Sequence, residues 1–119
     1  MLSVGVDVVD IDRVARVYQH HGDRFLRRVY TPREGERYRH RVDELAAHFA
    51  GKEAVSKALG TGLHGVSWRE IEIMPDRRGK PLVFLSGRAA ARADELGLRE
   101  FAISLTHTAS QAMAFVVAQ

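Results

Sequence analysis

The segment DELAAHFAGKEAVSKAL, residues 43–59, decides the fold, because it predicts a long helix that is apolar on nearly every side. Alanines recur every four residues from Ala46 to Ala58 and form one stripe, while leucine, phenylalanine and valine cover most of the remaining surface. A helix with this distribution is buried inside a domain. Gly60 follows this segment directly and begins a glycine-rich turn that ends the helix.

Shorter helices and valine-rich strands are predicted on both sides of this helix. The predicted strands cover residues 2–9, 68–75, 81–85, 100–107 and 112–118, and the other predicted helices cover 10–20, 24–29, 32–39 and 89–96. Helices and strands are intermixed, and the late strands are connected as hairpins. This order predicts an α+β fold with a mostly antiparallel sheet packed against the long buried helix, in a single domain of residues 1–119.

The composition excludes several classes of protein. The 119 residues include no cysteine, which excludes disulfide frameworks, thiolate metal sites and cysteine nucleophiles. No apolar run reaches the ~20 residues that a membrane-spanning helix needs, and no basic-then-apolar leader precedes Val4. We therefore expect a small soluble domain in the cytoplasm.

The net charge of +3 is distributed unevenly along the chain. Residues 13–41 contain nine arginines and only three acids, whereas residues 1–12 contain three aspartates and no base. Concentrated positive charge indicates an acidic partner, which is a nucleic acid, an anionic membrane or an acidic protein. One hypothesis is therefore a non-enzymatic module that binds nucleic acid through residues 13–41, although only 8% of the residues are aromatic and could stack on bases.

Asp7 is the first of three residues that interrupt the regular pattern. It lies between valines in a predicted strand, where an ionised carboxylate is costly unless a cation accompanies it. A metal ion or another fixed cation would offset that cost, and a salt bridge or a cap at the end of the strand is the simpler alternative.

Glu53 and Lys57 are the second interruption, because they are charged residues on a helix that is otherwise apolar. They are four residues apart, so one interpretation is an ordinary ion pair along the helix. The other is that both face a cleft, where a carboxylate beside a lysine suits a metal ion with a phosphate bound to it.

His107 is the third interruption, at the end of the strand FAISLTH, and it is either a core histidine or a ligand contact. The small residues Ala102, Ser104 and Thr106 alternate with it, and we expect their face to lie against the alanine stripe. Two carboxylates without thiol or multiple histidine ligands favour Mg²⁺ over zinc. These residues together predict Mg²⁺-dependent chemistry on a phosphate compound.

Five segments in order resemble the holo-acyl-carrier-protein synthases, the small bacterial type of 4′-phosphopantetheinyl transferase. They are GVDVVDIDRV, RVYTPREGERY, FAGKEAVSKALGTG, WREIEIMPDRRGKPLVFLSG and ISLTHT. The resemblance implies transfer of 4′-phosphopantetheine from coenzyme A to a serine of apo-acyl carrier protein, with Mg²⁺ as cofactor and adenosine 3′,5′-bisphosphate as product. It implies a role in fatty-acid biosynthesis, with a polyketide carrier as the alternative.

The same resemblance implies roles for individual residues. Asp7 and Glu53 would bind Mg²⁺, while Lys57 and His107 would contact coenzyme A, together with the backbone of the turn Gly60-Thr61-Gly62. His48 stands where the family usually has arginine, so a contact from it to a coenzyme A phosphate would be weaker or pH-dependent. The serine proton would go to a carboxylate or to a water held by Asp7 or Glu53, with His107 as the less favoured base.

The resemblance also implies the partners of the chain. An acidic acyl carrier protein would dock on the basic segment, through Arg13, Arg16, Arg24, Arg27 and Arg28, with no nucleic acid or membrane as partner. Members of the family form trimers, so a homotrimer with active sites shared between neighbouring subunits is expected.

Overall fold

Five strands and six helices make up the fold, in a computed structural model that describes all of residues 1–119. The strands are β1 (Ser3–Asp10), β2 (Ile71–Pro75), β3 (Pro81–Leu85), β4 (Phe101–His107) and β5 (Gln111–Ala118). The helices are α1 (Ile11–His21), α2 (Asp23–Val29), α3 (Pro32–Tyr38), α4 (Val42–Ala58), α5 (Gly62–Gly65) and α6 (Gly87–Leu96).

The strands form two antiparallel sheets. The larger sheet has the order β1-β5-β4, and the smaller one is the hairpin of β2 and β3. Helix α4 packs against β1 and β5 of the larger sheet and also touches β2. This arrangement confirms the predicted α+β class with antiparallel strands around a long buried helix. None of the helices has the length and apolarity needed to cross a membrane.

Helix α4 is the centre of the core, as its sequence predicts. Eleven of its seventeen residues are buried, and they lie on all sides of the helix. It ends close to the predicted position, since Gly60 has a φ of 73°, in the left-handed region that glycine tolerates.

Two local predictions are wrong. Residues 68–70, predicted as the start of a strand, form a 3₁₀ turn instead, Trp68–Glu70. The Glu70 side chain accepts a hydrogen bond from the backbone of Ser67 (2.6 Å), and this capping holds the turn. The short helix α5, directly after the turn that ends α4, is absent from the sequence-based prediction.

Strand β4 presents the opposite face to the one expected. Ile103 is buried and Leu105 half-buried, whereas the small residues are exposed, namely Ala102, Ser104 and Thr106. The larger side chains pack against α4 at Gly51. A methyl group there would lie 3.3 Å from Leu105 and 3.4 Å from Ile103, and it would overlap Ile73 of β2 (2.5 Å).

Strand β1 has polar and small residues on its inner face and valines on its outer face. Gly5, Asp7 and Val9 point toward α4, while the valines are half-exposed or more, namely Val4, Val6 and Val8. Phe115 and Met113 of β5 lie opposite Val6 and Val8 and are also exposed. We call this group, Val4, Val6, Val8, Met113 and Phe115, the outer face of the sheet.

Candidate active site

Close packing of β1 on α4 brings the two parts of the candidate site together. A side chain on Gly5 would overlap the carbonyl oxygen of Ala54, so only glycine allows this approach. Two residues along the same face, Asp7 lies within reach of Lys57. The Lys57 ammonium donates hydrogen bonds to Asp7 Oδ1 (3.0 Å) and to the carbonyl oxygen of Val6 (3.0 Å).

The lysine therefore forms its ion pair across two elements, with Asp7, and not along the helix with Glu53. The predicted ion pair between residues four apart on the helix is not formed. Asp7 has the cation that its place among valines requires. Glu53 and Lys57 do face a cleft, as the second interpretation proposed.

Glu53 lies on the same side of α4 and is half-buried. Partial burial raises the pKa of its carboxyl group, the negative charge of Asp7 raises it further, and Lys57 opposes both effects. Two carboxylates that repel each other at a half-buried position favour a bound cation. Their oxygen atoms are the donors that Mg²⁺ prefers, so the residues present fit a magnesium ion.

A cavity of about 680 Å³ opens in front of these three residues. Its charged lining residues are Asp7, Asp10, Arg13, Glu53 and Lys57, and its other lining residues are Val8, Val9, Val14, Val17, Phe25, Phe49 and Gln111. A cavity with both kinds of residue can hold a polyphosphate with its counter-ions and also an uncharged chain. The apolar part of the lining could not be predicted from the sequence, because its residues come from β1, α1, α2 and α4.

His107 lies outside this cavity, at the exposed end of β4. Its Nε2 is 3.7 Å from Asp43 Oδ2 at the start of α4. Donor atoms of His107, Asp43 and Glu44 lie within 4.8 Å of one another, and all three residues are at least partly exposed. Within one chain the structure does not bring His107 to Asp7 and Glu53, so its contact with coenzyme A stays a prediction.

His48 is a core residue in this structure. Only 2% of it is exposed, its ring lies 4.2 Å from that of Tyr38, and Nδ1 donates to the carbonyl oxygen of Glu44 (2.8 Å). Burial lowers the pKa of its imidazole. The residues of the turn Gly60-Thr61-Gly62 do not line the cavity either. No contact within the chain supports the predicted coenzyme A contacts of these residues, and they stay predictions.

The basic segment presents free positive charge beside the cavity. Arg13 lines it directly, and the other four predicted docking residues are exposed on α1 and α2, namely Arg16, Arg24, Arg27 and Arg28. None of the five forms an ion pair, whereas Arg33, Arg39 and Arg41 each have an acidic partner. The unpaired arginines are therefore available to an acidic partner.

Comparison with known proteins gives one consistent family. Residues 3–115 match the model of the 4′-phosphopantetheinyl transferase superfamily. The chain is similar to the holo-acyl-carrier-protein synthase of Herpetosiphon aurantiacus, with 49% identity and 98% of each chain covered. It is also similar to that of Solibacter usitatus, with 44% identity over 98% of this chain and 97% of the relative.

Solved structures agree with the sequence relatives. The holo-acyl-carrier-protein synthase of Neisseria meningitidis has a TM-score of 0.90 at 36% identity and covers 98% of this chain and 97% of its own. The Helicobacter pylori enzyme, in complex with coenzyme A, has a TM-score of 0.89 at 31% identity and covers 98% of this chain and 99% of its own.

Proposed function

The chain belongs to the 4′-phosphopantetheinyl transferase superfamily, in its holo-acyl-carrier-protein synthase branch, and we propose that it transfers 4′-phosphopantetheine from coenzyme A to a serine of apo-acyl carrier protein. The observation that supports this most directly is the meeting of Asp7, Glu53 and Lys57 in one cavity that valine and phenylalanine residues also line. The charged residues suit the pyrophosphate and the apolar residues suit the pantetheine arm.

Asp7 and Glu53 would hold a magnesium ion, since their oxygens form the donor set described above. When bound, the ion would neutralise negative charge on the pyrophosphate of coenzyme A. Lys57 adds a second positive charge, and half of its side chain is exposed to the cavity, so it can contact a phosphate oxygen while keeping Asp7 in place.

The transfer exchanges one phosphorus–oxygen bond for another. The serine oxygen of the carrier bonds to the phosphorus that bears pantetheine, and the bond from that phosphorus to the bridging oxygen breaks. The electron pair leaves with the second phosphate, which gives adenosine 3′,5′-bisphosphate. The serine proton would pass to a carboxylate oxygen of Asp7 or Glu53, or to a water held by one of them.

We further propose a homotrimer in the cytoplasm. The outer face of the sheet is contiguous and apolar, and its residues are 43–59% exposed, as is typical of a surface covered by another chain. A neighbouring subunit could then bring its His107 to the cavity, which the chain alone does not do.

Light scattering of the purified protein tests the trimer. We expect a mass three times the 13.3 kDa of one chain, and a smaller mass for Phe115→Asp. Phe84→Asp is the matched control, because Phe84 is equally exposed (46% against 47%) but lies on β3, outside the outer face. A monomeric wild-type protein, or an unchanged mass for Phe115→Asp, would contradict the proposal.

Mass spectrometry of an apo-acyl carrier protein incubated with this protein, coenzyme A and Mg²⁺ tests the transfer. A gain of ~340 Da on the carrier is expected for a phosphopantetheine attached to a nucleophilic serine, together with an equal amount of adenosine 3′,5′-bisphosphate. Chelation of the metal should stop the reaction. No gain on carriers from fatty-acid or polyketide synthesis would overturn the proposed function.

Two variants separate the site from the rest of the surface. Glu53→Gln removes the negative charge with little change in shape, so we expect a folded protein that turns over at least ~100-fold more slowly. Glu95→Gln makes the same change on α6, outside the cavity, and should keep full activity. Full activity of Glu53→Gln would show that the assignment of Glu53 is wrong.

A further inference from the structure

Lys52 and Glu34 form an ion pair that no solvent reaches. Both side chains are 0% exposed, and Lys52 Nζ lies 2.7 Å from Glu34 Oε1. The ammonium also donates to the carbonyl oxygens of Trp68 (3.1 Å) and Ile71. Its three protons therefore have three acceptors, and no capacity remains for a ligand.

Glu34 ties this ammonium to two other elements. Its Oε1 accepts a hydrogen bond from the backbone of Thr31 (2.9 Å) at the start of α3, and its Oε2 accepts one from the backbone of Ile73 (2.8 Å) in β2. The pair thus links α4 to α3, to β2 and to the 3₁₀ turn. It takes no part in the reaction proposed above.

Close packing at Gly5 and Gly51 limits how far helix α4 can turn about its axis. Its buried side chains lie on every side and are mostly apolar, so a turn of a few degrees still leaves apolar surface in contact with apolar surface. Burying Lys52 away from its acceptors would be costly, in contrast, because an ammonium without partners in the core loses its hydration with no compensation. The hydrogen bonds of Lys52 permit one rotation of the helix.

Glu53 is the residue after Lys52, so it points about 100° further around the helix, and Lys57 follows one turn later on the same side. Side-chain tips lie ~5–6 Å from a helix axis, so a rotation of ~10° moves them by ~1 Å. An error of that size at reacting groups costs about 100-fold in rate.

We propose that the buried pair of Glu34 and Lys52 is a positioning device, which fixes the rotation of α4 and thereby holds Glu53 and Lys57 at the cavity. This inference rests on the proposed function, since it uses the assigned roles of those two residues. Neither Glu34 nor Lys52 touches the substrates.

The double variant Glu34→Gln with Lys52→Met tests this role, because it replaces both charges together and leaves neither one buried alone. Mn²⁺ binding in the presence of coenzyme A, followed by electron paramagnetic resonance, is the readout that does not depend on activity. We expect the Kd for Mn²⁺ to rise about 10-fold or more. We also expect kcat to fall about 10- to 100-fold, with the KM for the carrier unchanged.

Leu98→Ala is the control for stability. Leu98 is buried between α6 and β4, so this variant lowers the Tm without touching the ion pair. At a temperature where every variant is folded, it should bind Mn²⁺ like the wild type. Lys52→Arg keeps the charge with a different shape, and it serves if the double variant does not fold. It should also raise the Kd for Mn²⁺ and lower kcat, by smaller factors than the double variant.

The outcomes separate this inference from the proposed function. The positioning role alone is overturned if the wild type transfers phosphopantetheine and binds Mn²⁺ and the variants of Glu34 and Lys52 do both equally well. Shifts of equal size in Leu98→Ala also overturn it, because they would reflect stability. A wild-type protein that neither binds Mn²⁺ nor transfers the group overturns the proposed function itself.

Discussion

A residue without a side chain controls the distance between the two halves of the candidate site. Gly5 lets the backbone of β1 rest on the backbone of α4 at Ala54, and this contact sets Asp7 beside Lys57. The sequence around Gly5 does not show which element approaches it. The sequence left the partner of Asp7 open between a metal ion and another fixed cation, and in the structure that cation is Lys57.

Gly5→Ala should destabilise the fold by about 1–3 kcal/mol, because β1 must move away from α4 to make room for a methyl group. Urea unfolding measures the loss. Gly35→Ala is the matched control, since a side chain there meets no atom within 4 Å and alanine favours the α3 helix by up to ~1 kcal/mol. Equal stability of Gly5→Ala and the wild type would contradict the close approach.

At the scale of elements, the predictions hold where the local sequence decides the structure. The capping box of Thr31 and Glu34 begins α3 where expected, and the glycine-rich turn ends α4. They fail where a distant element decides. β4 has a large face and a small face, and its packing against α4, where Gly51 leaves room, buries the large one.

The same limit applies to the charged residues of α4. Lys52 stands out in the sequence as a charge on a buried helix, but its partner Glu34 comes from a different helix eighteen residues earlier. Glu53 and Lys57 are four residues apart on one helix, but they do not form an ion pair with each other. Lys57 pairs with Asp7 instead. Sequence spacing alone therefore does not identify which charges meet in the core.

The packing of α4 against α3 should depend on pH through His48. Its pKa is lowered from 6.5 by burial, so the unfolded chain binds a proton more readily than the folded one. The part of the free energy of unfolding that depends on neutral His48 should be fully present above pH ~6.5. It should decrease as the pH falls from there through the lower pKa of the folded state.

Urea unfolding at pH 7.5 and pH 5.5 measures this dependence. His48→Gln removes the titrating group, so it should lose less stability between the two pH values than the wild type. The other five histidines are the same in both proteins, so their contribution cancels in the comparison. An equal loss in both proteins would assign the pH dependence to other groups.

At the scale of the molecule, the uneven charge of the sequence becomes a basic surface at the mouth of an acidic site. Asp7 and Glu53 lie inside the cavity, Arg13 lies on its lining, and the unpaired arginines of α1 and α2 lie outside it. The sequence predicted both groups of charge, and it did not predict that valine and phenylalanine side chains line the same cavity.

Reversing Arg13 and Arg24 to glutamate should raise the KM for the carrier protein more than the KM for coenzyme A, because an acidic protein is attracted over a wide surface. Arg77 and Arg78 provide the control, since they are exposed on the turn between β2 and β3 and reversing both changes the net charge equally. Added salt should raise the wild-type KM for the carrier and affect the double variant less. Equal effects on both substrates would remove the docking role.

The two faces of β1 leave the strand only one acceptable alignment. Side chains alternate between faces, so a shift of one residue would press valines onto the backbone of Ala54 and turn Asp7 away from Glu53. Deleting or inserting a single residue within this strand would therefore abolish the packing on α4, the proposed metal ligand and the outer face in one step. The turn between β2 and β3 does not have two faces that must both be placed correctly. We therefore expect a change in its length to alter only the turn itself.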